Sequence, residues 1–176
     1  LRDELHALLP LIYVSRDISA PSRSVTRLTT RPLRPARAVL PTIISQCLAG
    51  EVVRLGNLRP TRDLNFVANT VEGFVLAASA PGAVGHTVNL GSGREISIGD
   101  LAQLTATIVG RPITIETDEE RRRPDASEVE RLLADNTLAR KVLGWEPSVS
   151  LEVGLQRTVE WIRSNPETYR TGVYAV

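Results

Sequence analysis

The stretch VNLGSGREISIGDLA, residues 88–102, runs from a short apolar segment through a turn with two glycines into an amphipathic helix. Strand, glycine turn and helix in that order are the layout of a dinucleotide-binding loop. Such a loop needs glycines at G-x-G-x-x-G so that the backbone can approach a pyrophosphate. It needs a helix whose first N–H groups point at the phosphates, and an acidic residue about 20 positions on for the ribose. Gly91 and Gly93 take the first two glycine places, but the third is Ile96. Ser97, with Asp100 three places later, reads as a capping box, so a side chain takes the first helical donors. Asp118 stands 25 residues past Gly93 in a charged loop and not at a strand end. The stretch therefore reads as a tight strand-to-helix turn rather than the main cofactor cradle.

The same alternation extends in both directions. VLPTIISQCLAG puts Leu40, Ile43, Ile44, Cys47 and Leu48 on one helical face, with Pro41 in the first turn and Gly50 as a stop. EVVRLG predicts a short strand. FVANTVEGFVLAAS sets Val67, Val71, Phe74, Val75 and Ala78 at helical spacing. HTVNLG predicts a strand, and the helix after it turns Leu101, Leu104 and Ile108 inward. RPITIE and ERLLAD predict two further strands. Asn136 is placed to cap NTLARKVLG, which stops at Gly144, and Ser150 to cap SLEVGLQRTVEWIRSN. Strands alternating with helices define an α/β class.

Composition narrows the partners. The 176 residues are 42% hydrophobic and 23% charged, with a formal net charge of +1, so no general electrostatic drive favours nucleic acid or membrane. No apolar run approaches the roughly 20 residues that span a bilayer, and the opening LRDELHALLPLIYV lacks the marks of a signal peptide. A single cysteine, Cys47, excludes an internal disulfide and suits a reducing cytoplasm. Cys47, His6 and His86 have no metal-ligand spacing. Residues 1–35 stand apart as an irregular basic leader, rich in arginine and proline and without an acidic residue after Asp17. A nucleic-acid arm is conceivable there, but no aromatic residue interleaves its arginines for base stacking.

A catalytic acid–base set is not found. Tyr13 is followed four places later by Asp17 and Tyr169 by Val173, so neither forms a Tyr-x-x-x-Lys pair, in which a lysine lowers a tyrosine's pKa. There is no G-x-S-x-G elbow and no Walker lysine. Two groups of arginines remain. In RPTRDLNFVANTVEG, Arg62 precedes a helix, where its guanidinium can hold a phosphate bidentately with Asp63 fixing its fork; a surface Arg–Asp pair is the alternative. In TDEERRRPDASEV, the three cations at 121–123 can close over a diphosphate. With Glu119, Glu120 and Asp125 beside them, they can equally be a solvated cluster.

The run from residue 37 to the C-terminus resembles the C-terminal part of extended short-chain dehydrogenase/reductases that act on nucleotide sugars. The stretches that carry the resemblance are ARAVLPTIISQCLAG, RLGNLRPTRDLNFVANTVEGFVLA, HTVNLGSGREISIGDLA, RRRPDASEVERLLAD and NTLARKVLGWEPSVSLEVGLQRTVEW. The PTRD and RPDASEVERLLADN wording is most similar to NAD-dependent 4,6-dehydratases of the GDP-mannose and legionaminic-acid type. The resemblance implies a substrate-binding lobe over residues 36–176, with the last strands of an incomplete Rossmann sheet. It implies that Arg37, Val39 and Leu40 belong to the segment lying against the nucleotide base, that Leu55 abuts that base, and that Arg62 and Arg123 clamp the diphosphate. It makes the turn at Asn89, Gly91 and Gly93 a second, structural glycine turn.

Residue 69 is Asn where the family's pattern often has Asp. The family's GxxGxxG fold and Tyr-x-x-x-Lys have no counterpart in these residues. NAD is thus implied by the family but is not expected to bind this chain alone, and turnover is not expected. A nucleotide-sugar 4-epimerase shares the same lobe, and a non-enzymatic remnant or a subunit that pairs with a cofactor-binding chain is a further alternative. Helices whose apolar faces lack companion strands should leave exposed apolar patches, marginal stability or association, including homo-oligomers.

Overall fold

Ser97 sets the start of the best-defined helix: its hydroxyl accepts the Asp100 amide at 3.0 Å and donates to the Asp100 carboxylate at 2.6 Å. The helix that follows, α3 (Ile98–Val109), ends where Gly110 turns into the left-handed region at φ 78° and donates its N–H to Ala106 and Thr107. The computed structural model describes residues 11–13, 39–121 and 129–166. These residues form β1 (Leu11–Tyr13), α1 (Val39–Ala49), β2 (Val52–Leu55), β3 (Thr61–Arg62), α2 (Val67–Ser79), β4 (Thr87–Asn89), β5 (Ile96–Ser97), α3, β6 (Thr114–Thr117), β7 (Arg131–Leu132), α4 (Thr137–Leu143) and α5 (Leu151–Ser164). Each element predicted from residue 39 onward is present. Within the stretch expected to be an irregular leader, β1 is a strand, and the rest of that stretch lies outside the described residues.

The chain divides into two compact units, each discontinuous in sequence. One contains β1, α2, β4 and α4, in residues 11–13, 63–95 and 133–151. β1 pairs antiparallel with β4, Ile12 opposite Val88. The core is Ala77, Ala83, Val88, Leu90, Ala139, Leu143 and Trp145, with Leu76, Leu138 and Val142 packed against it. Gly73 makes this packing possible, because a Cβ there would meet the Leu90 side chain.

Helix α2 lies in this unit, as its spacing predicts a helix there. The stripe of Val71, Phe74 and Val75 is exposed, and the buried residues are Asn69, Gly73 and Ala77. A helix that is apolar on both sides has no face marked as inward by periodicity alone. Here the small residues face in because Leu90 comes close, and the larger ones face out.

The second unit holds α1, β2, β3, β5, α3, β6, β7 and nearly all of α5. β2 pairs parallel with β6, Leu55 opposite Thr117, and α1 packs on both β2 and α3. The expected α1 face is buried at Ile43, Ile44 and Cys47 and half-buried at Leu40 and Leu48. In α3, Leu101 is buried and Leu104 and Ile108 are half-buried. The Gln46 amide reaches from α1 to the backbone of β2, accepting from the Arg54 N–H at 2.8 Å and donating to its carbonyl at 3.2 Å. Those strand-edge groups therefore have an internal partner. A three-stranded sheet of order β5-β3-β7 completes this unit, with β3 antiparallel to β5 and parallel to β7.

Candidate functional site

The glycine turn is built around a carboxylate. Asp63 is 3% exposed. Its Oδ1 accepts the Ser92 amide at 2.8 Å and the Ser92 hydroxyl at 2.5 Å. Its Oδ2 accepts the amides of Gly93 at 3.0 Å and Ala134 at 3.3 Å. The next amide, Arg94, donates to Ser92 Oγ at 3.1 Å. Successive amides in such a turn form a concavity suited to an anion, and an internal carboxylate already fills this one. Gly91 is required because a Cβ would collide with the Ala134 methyl and an Asp63 oxygen, and Gly93 takes φ 71°, in the left-handed region.

The start of α3 is equally occupied: Ile98 N–H donates to the Pro60 carbonyl, Gly99 N–H to the Leu58 carbonyl and Asp100 N–H to Ser97. The described residues of this turn and helix therefore do not fit the pyrophosphate of a dinucleotide, since the donors it needs are spent within the protein.

Arg62, expected at a diphosphate, belongs to the second unit. β2 and β6 end together, and the chain leaves β6 with the Asp118 amide donating to the Leu55 carbonyl at 2.7 Å. A single 3-10 turn, Glu119–Arg121, follows, and Arg121 Nε meets Asp118 Oδ2 at 2.8 Å. Residues 122–128 lie outside the described residues. The chain is described again at Val129, beside β3: Thr61 N–H donates to the Glu130 carbonyl at 2.8 Å, and Arg62 Nη1 donates to the Val129 carbonyl at 2.7 Å and the Thr61 carbonyl at 2.8 Å. The arginine-bearing segment is thus tied at one end to Leu55 and at the other to Arg62.

Of the residues singled out in the sequence, Arg37 and Arg123 lie outside the described residues. Val39 and Leu40 are half-buried in the first turn of α1. Leu55 is 3% exposed, packed into the core, so the residues offering surface at that strand end are Arg54 and Gly56. Arg62 is half-buried. Asp63 does not fix the Arg62 fork as expected: its oxygens serve Ser92, Gly93 and Ala134, and backbone carbonyls orient the guanidinium. The Val129 carbonyl was not foreseen, because a main-chain acceptor leaves no mark in residue type.

Asn136 also departs from expectation. It stands before α4 but makes no side-chain cap, and its amide donates to the Gly91 carbonyl at 3.1 Å. Asp135 instead accepts the Thr137 amide at 2.9 Å, and the Thr137 hydroxyl and amide hold its carboxyl below the usual range. Burial pushes the Cys47 thiol up to about 11. Among the described residues no group of three or more His, Cys, Asp or Glu could hold a metal, and no helix is long and apolar enough to cross a membrane.

Residues 24–158 match the model of the GDP-mannose 4,6 dehydratase family. This chain belongs to that family. The chain is homologous to the NAD-dependent epimerase/dehydratase family of extended short-chain dehydrogenase/reductases, and its α/β architecture is consistent with a partial Rossmann-like fold of that type. Over 121 residues the chain is 37% identical to a UDP-glucose 4-epimerase of Mycolicibacterium smegmatis, a match covering 68% of this chain and 37% of that protein.

The structure is similar to that of a Thermotoga maritima UDP-glucose 4-epimerase solved with UDP-glucose, with TM-score 0.63 and 30% identity over 73% of this chain and 40% of that one. It is also similar to the Bordetella bronchiseptica enzyme WbmF solved with NADH, with TM-score 0.62 and 31% identity over 76% of this chain and 38% of that one. The chain spans roughly a third of the length of the curated relatives it matches, 37% of one and 31% of another.

Proposed function

We propose that this chain is the nucleotide-sugar-binding part of an NAD-dependent nucleotide-sugar 4,6-dehydratase, and that it binds the nucleotide diphosphate without turning over sugar on its own. The observation that carries this reading is the double tether of the segment at 118–130. One end is fixed beside Leu55 and the other at Arg62, so the described chain resumes at Val129 next to the arginine expected to share a ligand with Arg123. A diphosphate carries two adjacent negative charges, and planar guanidinium groups from separate loops grip it in a defined orientation. With Nη1 committed to two carbonyls, the Arg62 plane is held before any ligand arrives, which lowers the ordering cost of binding. Val39 and Leu40 supply an apolar flank for the base. NAD belongs to the reading through the family, but the described glycine turn gives it no cradle, so no step through it is assigned to these residues.

A 4-epimerase part is the second reading, favoured by the 37% identity to the mycobacterial enzyme of that name. Product analysis of an intact family member carrying this lobe separates the two.

Binding is tested by calorimetric titration of the chain with GDP- and UDP-sugars. Replacing Arg62 by alanine removes charge-assisted bonds worth about 1.5–3 kcal/mol, so affinity should fall roughly tenfold or more, with a similar loss for Arg123→Ala. Arg62→Lys keeps the charge without the fork and should fall between. Equal affinity for the native chain and the Arg62→Ala/Arg123→Ala double variant would overturn the reading.

A further inference from the structure

Helix α1 carries no charged residue, and the longest polar side chain in it is Gln46. Its carboxamide closes two hydrogen bonds on a single residue of β2. Oε1 accepts the Arg54 N–H at 2.8 Å, and Nε2 donates to the Arg54 carbonyl at 3.2 Å. These two groups of Arg54 lie on the outer edge of the strand. Glu51 and Leu55 turn their carbonyls towards β6, where the Thr114 and Asp118 amides meet them at 2.7 Å, and successive residues of a strand point to opposite edges. Gln46 therefore stands where a further strand would pair, with the donor and acceptor of a peptide group.

The pairing sets the position of α1 along β2. The buried side chains of α1, among them Ile43, Ile44 and Cys47, hold the helix down by apolar contact, which is not directional; hydrogen bonds are. Two residues, Gly50 and Glu51, separate helix from strand, so a bond from Gln46 to Arg54 requires α1 and β2 to run in opposite directions. The first turn of α1 thus lies towards the carboxyl end of β2. Val39 precedes Gln46 by seven residues, about two turns, and shares its face. That face reaches past Arg54 towards Gly56, which offers surface at the strand end.

We propose that Gln46 is a positioning residue for the nucleotide base: paired with Arg54, it fixes Val39 and Leu40 beside Gly56 at the carboxyl end of β2. The inference rests on the binding reading given above, in which Val39 and Leu40 flank the base, and Gln46 itself touches no ligand. Its two bonds offset the rotamer freedom that a fixed glutamine gives up, and water can reach Arg54, an exposed residue, once they are gone. The pairing orients more than it stabilises. A flank already in place lowers the ordering cost of binding the base, while the diphosphate contacts at Arg62 do not depend on it.

The test titrates the full 176-residue chain with UDP, GDP and inorganic pyrophosphate, the last presenting the anion without a base. Gln46→Met keeps the length of the side chain without its hydrogen bonds. It should lower affinity for the preferred nucleotide about fivefold and leave pyrophosphate affinity unchanged. Gln46→Glu keeps the acceptor for the Arg54 N–H but loses the donor, and relative to its own pyrophosphate affinity it should fall between. Amide exchange at Arg54 should be slow in the native chain and quicken in Gln46→Met, with the melting temperature moving by less than about 3 °C. Three results would overturn the inference: unchanged nucleotide affinity in Gln46→Met, an equal loss for nucleotide and pyrophosphate, or free exchange of the native Arg54 amide. Arg62→Ala should weaken all three ligands. If it binds them like the native chain, the diphosphate reading falls and the base flank stands, whereas a native chain that binds none of them sinks both.

Discussion

Asp63 and Gly93, thirty residues apart, are joined by a 3.0 Å hydrogen bond from the glycine amide to the aspartate's Oδ2. With Ser92 and Ala134 also donating to that carboxylate, four donors converge on one buried side chain. A sequence that looks built to receive an external anion is closed by an internal one.

Asp63→Asn should therefore be strongly destabilising. An amide nitrogen would face at least one N–H donor, and the turn would lose its charge-assisted bonds, at a cost of about 3 kcal/mol. Urea denaturation of the variant measures this directly, and a loss under about 1 kcal/mol would show that the turn does not depend on the charge.

Asn69 is fully buried, and its amide orientation is dictated by its neighbours. Oδ1 accepts the Val149 N–H at 2.9 Å, while Nδ2 donates to the Val149 carbonyl and to Asn65 Oδ1, both at 2.9 Å. Asn69→Asp would set a carboxylate against two acceptors, so about 2 kcal/mol of stability should be lost at neutral pH. The deficit should shrink as the pH is lowered and the new carboxyl takes up a proton, and melting temperatures across a pH series check both points.

Trp145 is 1% exposed and donates its indole N–H to the Asn69 carbonyl at 2.9 Å. Trp145→Phe keeps an aromatic ring but leaves that carbonyl without its partner, which predicts a loss of about 1–3 kcal/mol beyond that of a packing change alone. Amide exchange across residues 67–79 should quicken with it.

Cys47 has its thiol raised from 9.0 to about 11 by burial. The folded state holds this proton at pH values where the unfolded chain has released it. Stability should thus be indifferent to this group below about 9 and should fall as the pH rises from about 9 towards 11. Cys47→Ala should flatten that fall, and the native thiol should resist a disulfide reagent at pH 8 until the protein is unfolded. Rapid labelling of the native chain would contradict the burial.

Much of this was legible in the residues. The alternation of elements, the Ser97–Asp100 cap, the α1 face and the stops at Gly50 and Gly144 are set by contacts within a few positions of each residue, and local spacing records them. The glycine turn departs from the dinucleotide pattern at Ile96 and Ser97, which stand where a third glycine and free amides are needed. What spacing could not settle were the choices between two chemically acceptable partners. Asn136 could cap α4 or bond Gly91, Asp63 could hold Arg62 or the turn, and α2 could bury its large residues or its small ones. Each was resolved by a neighbour 25 or more residues away or by the close approach of Leu90.

The sequence by itself determined the α/β class and the helix limits, because period, caps and turn residues act over short stretches of chain, and its quoted stretches carried the resemblance to the family. Only the tertiary structure decided that Asp63 is the anion inside the glycine turn, that carbonyls orient Arg62 and that α2 turns its valines outward. Those outcomes depend on which buried donor meets which acceptor once distant segments are brought together.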